Sequence, residues 1–153
     1  MKRSKKIIAL LFCCIATGSL SLFLGSCSKS SKEKLKFDPV PYRSFTTGRR
    51  LYRSYCMSCH KQDGSGQEGL YPPLNNSDYL FKHEDKVACI IKYGLKGPIE
   101  VNGKKYNLVM SGSEFMSYHE ITDLMNYIFT AWDNNHDAFK VDNIKKQIDK
   151  CGK

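Results

Sequence analysis

The 153-residue sequence predicts an all-α domain. Apolar residues recur at helical spacing at Val87, Ile90 and Ile91, and again at Ile121, Leu124, Met125 and Ile128. Helix start and stop signals bracket these runs: a capping box at Ser117-Tyr118-His119-Glu120 and a glycine at position 94, where a helix would end. No run alternates like a strand for long.

The chain opens on a basic segment, Lys2 to Lys6, followed by the apolar stretch Ile7 to Leu24. That order is read as an export signal over residues 1–26. Leu24-Gly25-Ser26-Cys27 resembles a bacterial lipobox, which implies a lipid on the Cys27 thiol and cleavage that leaves Cys27 first. The alternative is an uncleaved anchor, because Ile7 to Leu24 is just long enough to span a bilayer, although Thr17, Gly18, Ser19 and Ser21 weaken it. Either way the domain is expected in the bacterial envelope, tethered to the membrane and facing the periplasm. Residues 27–42 form a Ser- and Lys-rich tether with little to bury. The formal charge is +9; without the four cations of Met1 to Ser26 it is +5, and without the net three of Ser28 to Lys36 about +2. The positive charge thus belongs to the leader and tether, and a nucleic-acid partner is not indicated. The folded domain is placed at 43–153.

Its first helix is expected to start at Thr46 or Thr47 and to run through Arg49 to Tyr55, with Gly48, Tyr52 and Cys56 on one face. It leads into Cys56-Met57-Ser58-Cys59-His60, two cysteines three apart followed at once by histidine. That is the attachment pattern of a c-type haem. Each thiol adds to one vinyl group of the porphyrin, and the histidine is held as proximal iron ligand. A zinc site would need four ligands, but Cys27, Cys89 and Cys151 show no second paired spacing, and His83, His119 and His136 are scattered. A redox dithiol would expect a preceding strand. One motif implies one haem.

Gln62 to Gly69 reads as a glycine-rich loop, and Tyr71-Pro72-Pro73-Leu74 stiffens the chain where it must pass His60. Pro72 is the candidate carbonyl to fix the histidine's tautomer. Ser77 caps a short helix through Leu80, and Glu84 to Tyr93 forms the next. Gly97-Pro98 and Asn102-Gly103 are turn signals, the second of a small hairpin or tight turn that returns Val109-Met110 toward the core. The helix capped by Ser117 is expected to reach about Trp132, and Asp142 to cap a last helix with Ile144 and Ile148 inward. Cys89 is read as a small buried hydrophobe and Cys151 as near a mobile end; a disulfide between them is the less favoured reading.

A thioether on the sixth iron position would favour the reduced state. Met57 lies within the attachment motif and Met125 in a helix interior, which leaves Met110 and Met116. Met110 ends a loop and is preferred; Met116 precedes the cap Ser117, where an apolar residue often staples a helix.

From Thr47 to Trp132 these residues resemble a class I cytochrome c. Gly48, Tyr52 and Cys56 match that family's first helix, Pro72-Pro73-Leu74 its P-x-L, and Leu124 with Tyr127 the L-x-x-Y of its last main helix. The resemblance implies helices and loops wrapped around one covalent haem, with the last main helix crossing the first at the glycine. It also implies that the proline carbonyl accepts from the ligand histidine. In similar small bacterial cytochromes a methionine–proline pair carries the axial ligand, whereas here Ser111 follows Met110. The implied function is one-electron transfer without substrate chemistry, between a quinol-oxidising complex and a terminal oxidase or reductase. The competing function is a haem enzyme or gas sensor with an open sixth position, which would need distal acid–base groups such as His119 or His83. A third is a fixed haem subunit in a larger complex.

Overall fold

The computed structural model describes residues 38–151. The expected export signal, the lipidation site Cys27 and most of the tether lie outside the described residues. No helix among the described residues is long and apolar enough to cross a membrane.

Helix α1 spans Tyr42–Tyr55 and the single turn α2 spans Met57–His60. Helices α3 (Asp78–Lys82) and α4 (Glu84–Tyr93) follow. Four short strands come next: β1 (Gly94–Leu95), β2 (Ile99–Val101), β3 (Lys104–Tyr106) and β4 (Met110–Ser111). The chain closes with α5 (Tyr118–Ile128) and α6 (Val141–Ile148). The fold is helix-dominated, as expected, and carries two small antiparallel sheets, the hairpin signalled at Asn102-Gly103 and a pairing of β1 with β4 that the sequence did not signal. The β2·β3 hairpin turns on Asn102 and Gly103, with φ of 51° and 74°. Both central residues are left-handed, as a two-residue turn requires to match strand twist. Strand β4 pairs with β1 at Gly94↔Ser111 and Leu95↔Met110. Strands of two or three residues are too short to show alternation.

The core is built on the crossing of α1 and α5. Leu51 and Tyr52 of α1 meet Ile121, Leu124, Met125 and Ile128 of α5, and Ile144 and Ile148 of α6 close the other side. The close approach happens at Gly48, where an added Cβ would lie 1.9 Å from the Asp123 carbonyl oxygen. Phe45 and Tyr52 pack against Tyr127 at 5.2 and 5.3 Å between ring centroids. These contacts explain why α1 starts at Tyr42 rather than at Thr46 or Thr47. Phe45 is held on Tyr127, Ser44 bonds to Asp123, and Pro41 supplies the carbonyl for the first helical bond.

Two other boundaries differ from expectation. Helix α5 ends at Ile128, four residues before Trp132, because the chain turns at Phe129 and then takes left-handed φ at Trp132 and Asp133. Lys140, not Asp142, is the N-cap of α6, and Asp142 lies in its first turn. The capping box is present in full: the Glu120 amide donates to Ser117 Oγ at 3.3 Å, and the Ser117 amide donates to Glu120 Oε2 at 2.9 Å. Cys89 and Cys151 are disulfide-bonded with Cα atoms 5.7 Å apart, which corrects the reading of a buried thiol and a mobile end. Helix α6 packs on α4 and brings Cys151 to a half-buried Cys89.

Candidate haem crevice

Helix α1 ends at Cys56, and the turn α2 begins there. The Cys59 and His60 amides both donate to the Cys56 carbonyl, at 3.2 and 2.9 Å. That tight turn sets the two thiols and the imidazole by local backbone bonding. Directly after it Lys61 takes φ 62°, a left-handed conformation that turns the chain away. The buried Tyr52 hydroxyl donates to the Lys61 carbonyl at 2.6 Å and so ties the end of the motif back to α1. Burial pushes the Tyr52 phenol above its ordinary value. Tyr52 had been read only as a helix-face residue, because a partner nine positions on cannot be found from periodicity.

His60 is nearly buried, and its Nδ1 lies 2.9 Å from the Pro72 carbonyl oxygen. Pro72 can only accept, so Nδ1–H donates and Nε2 keeps its lone pair. Burial lowers the His60 pKa, against the Pro72 hydrogen bond, which raises it. The imidazole is therefore held neutral, the form that binds metals. The loop over 62–75 is pinned from several sides. The Leu74 amide donates to the Gly64 carbonyl at 2.8 Å, and Trp132 Nε1 donates to the Gln62 carbonyl at 3.1 Å.

One part of the crevice is walled by Cys56, His60, Pro72 to Leu74, Val87, Ile90, Ile91, Val101 and Met110. It continues into a second part that adds Cys59, Tyr71, Tyr106, Leu108 and Val109. The walls come from α1, α2, α3, α4, the loop after the motif, β1, the β2·β3 hairpin, β4 and α5. The first part is almost wholly apolar, the second adds polar groups of Tyr71, Tyr106, Ser111 and Ser113, and Leu70, Leu108, Val109 and Tyr55 stand exposed at the mouth. Burial pushes the Cys56 thiol up to about 12, with the neighbouring Cys59 adding to it. Cys56 and Cys59 are free. A flat apolar macrocycle with two vinyl groups fits this set: a greasy slot, two free thiols at its edge, a neutral imidazole and a thioether.

The structure brings Cys56, Cys59, His60, Pro72 and Met110 to this one crevice. Met116 is instead 1% exposed and part of the hydrophobic core, as is Met125. Met57 packs half-buried against the same core. His119 is exposed, His83 stacks on Tyr79 with ring centroids 4.4 Å apart, and His136 pairs with Glu84 at 2.8 Å. No group of three or more His, Cys, Asp or Glu suited to a metal ion occurs among the described residues. Sequence reasoning missed Ile99, Val101 and Tyr106 as crevice walls, because strands of three residues carry no periodic signal.

The family model described as cytochrome c matches residues 45–132. Cytochrome c-552 of Thermus thermophilus is 39% identical over 102 residues, covering 64% of this chain and 75% of that protein. The cytochrome c subunit of a quinone alcohol dehydrogenase from Gluconacetobacter polyoxogenes is 30% identical over 89 residues, covering 57% of this chain but only 19% of that subunit.

Proposed function

We propose that this chain, which belongs to the cytochrome c family, is a mono-haem shuttle that passes single electrons between respiratory-chain partners outside the cytoplasmic membrane. The family's haem c, covalently attached, is its cofactor, and haem electron transfer is the activity its relatives share. The bound haem supplies an iron that alternates between ferrous and ferric. The protein's part is to hold it still. Cys56 and Cys59 would carry the thioether links, His60 would ligate through Nε2 with Nδ1–H kept on the Pro72 carbonyl, and Met110 would supply the thioether ligand. Two ligands kept in both oxidation states mean little rearrangement per electron. The apolar walls keep water from the iron and the thioether raises the potential. Leu70, Leu108 and Val109 at the mouth allow a partner's apolar surface to approach the ring edge.

The observation that carries this reading is the convergence of Met110 and His60 on one apolar crevice. The crevice walls contain no carboxylate, arginine or second histidine among the described residues, which does not favour an enzyme's distal acid–base chemistry. The lipobox resemblance at Cys27 supports a lipoprotein held at the membrane with its domain in the periplasm. The partners that suit such a carrier are a quinol-oxidising complex and a terminal oxidase or reductase. The likeness to the cytochrome subunit of a quinone-linked dehydrogenase supports redox proteins as partners.

Carbon monoxide is the test. The reduced, haem-loaded protein is expected to keep its visible spectrum under the gas, while Met110→Ala binds it at once. Prompt binding by the unmutated protein would overturn the carrier reading in favour of an open-site enzyme or sensor.

A further inference from the structure

Met110 sits in a stretch that is poorly held on one side. Asn107, Leu108 and Val109 before it are exposed. After it, the anchors of residues 110–113 lead to the C-terminal end of α4, while Phe115 packs on Tyr55 at 5.2 Å between ring centroids and Met116 sits in the core. Strand β4 pairs with β1, the two residues that follow α4. Ser111, unlike a proline, keeps the N–H that a strand position uses. The two chains cross in contact: a Cβ on Gly94, at φ 85°, would lie 2.4 Å from the Met110 carbonyl oxygen, and one on Gly112 would lie 2.5 Å from the Tyr93 carbonyl carbon. The Ser113 amide then donates to the Ile91 carbonyl at 2.9 Å. Finally the half-buried Lys92 ammonium donates to two carbonyls beyond the strand, Glu114 and, at 2.7 Å, Met116. Lys92 lies in the last turn of α4, next to Ile91, which lines the crevice.

We propose that Lys92 is a positioning residue for the sixth-ligand loop: its ammonium straps residues 113–116 to the end of α4 and so holds Met110 in the crevice. The inference rests on Met110 as ligand. A charged donor is suited to the task because it satisfies two carbonyls at once, and hydrogen bonds to charged groups are stronger than neutral ones. Anchoring Glu114 and Met116 shortens the free part of the loop to the exposed residues before Met110. Losing the strap lets Met110 leave more often, and an external ligand gains whatever the methionine loses.

The experiment is a titration of the oxidised, haem-loaded protein with imidazole, followed by its visible spectrum, beside a thermal melt. Lys92→Met is expected to tighten imidazole binding about tenfold, the weight of roughly one charged hydrogen bond. Lys92→Arg, which keeps a charged donor, should stay near the native value. Lys86→Met, an exposed lysine on the same helix, should not move it. Ser113→Pro removes the neighbouring amide bond and should shift binding the same way, which keeps the test open if Lys92→Met does not load haem. A lower melting temperature for Lys92→Met with unchanged imidazole affinity, while Met110→Ala binds imidazole freely, would overturn the strap and leave the ligand reading intact. Met110→Ala binding no more tightly than the native protein would overturn the ligand reading itself.

Discussion

At the scale of single residues the fold hangs on places where one atom more does not fit. Gly48 is the clearest. The carbonyl that an added methyl would strike belongs to the backbone of α5, so neither partner can rotate away. Overpacking usually costs about 1–3 kcal/mol, and a clash with main chain belongs at the upper end. Gly48→Ala is therefore expected to lower Tm by roughly 10–20 °C, measured by thermal melting of the haem-loaded protein. A variant that melts with the native protein would mean that the α1·α5 crossing is wider than described. Tyr52 shows a different economy. One side chain packs on Tyr127 and Trp132, at 5.3 and 5.1 Å between centroids, while its hydroxyl holds the residue after His60.

At the scale of elements, α5 is the helix with the fullest local instructions, and its start is pH-dependent. Glu120 accepts from the Ser117 amide and, at 2.8 Å, from the Ser117 hydroxyl. These bonds, the backbone one first, hold its carboxyl below the usual value of 4.5. A carboxylate with a depressed folded pKa contributes stability above the unfolded value and loses it as pH falls through the folded one. Thermal stability should thus fall as the pH drops below about 4.5 in the native protein, and Glu120→Gln should be flatter there. Equal slopes would remove the capping box from the acid response. Removing the cap itself, in Ser117→Ala, should cost about 1 kcal/mol at neutral pH. Helices α1 and α6 lack such a side-chain cap, and their starts were misread accordingly.

At the scale of the whole molecule the Cys89–Cys151 bond decides how the chain closes. It joins residues 62 apart in sequence and clamps α6 against α4, the helix that walls the crevice. A cross-link of that span restricts the unfolded chain, and its loss costs roughly 2–4 kcal/mol. Cys151→Ser is expected to lower Tm without changing the haem spectrum, because neither cysteine lines the crevice. Reduction with a dithiol should reproduce that shift in the native protein and not in the variant. A dithiol that destabilises both equally would show that the clamp is elsewhere.

What could be read from the chain alone was the chemistry and the elements with local signals. The haem motif is a contiguous pattern whose spacing is set by the porphyrin's own vinyl groups. Ser77, Glu84 to Tyr93, Asn102-Gly103 and the capping box at Ser117 each carry their cause within a few residues, and each stands where it was expected. Pro72 as the partner of His60 was legible because a stiff proline pair follows the motif closely. Tertiary structure alone decided the rest: the early start of α1 on Tyr127, the end of α5 at Ile128, the pairing of Cys89 with Cys151, and the strands that bring Met110 to the crevice while Met116 is buried in the core. Those features depend on contacts between residues far apart in sequence. Their free energy is shared between two distant segments, so neither segment shows it by itself.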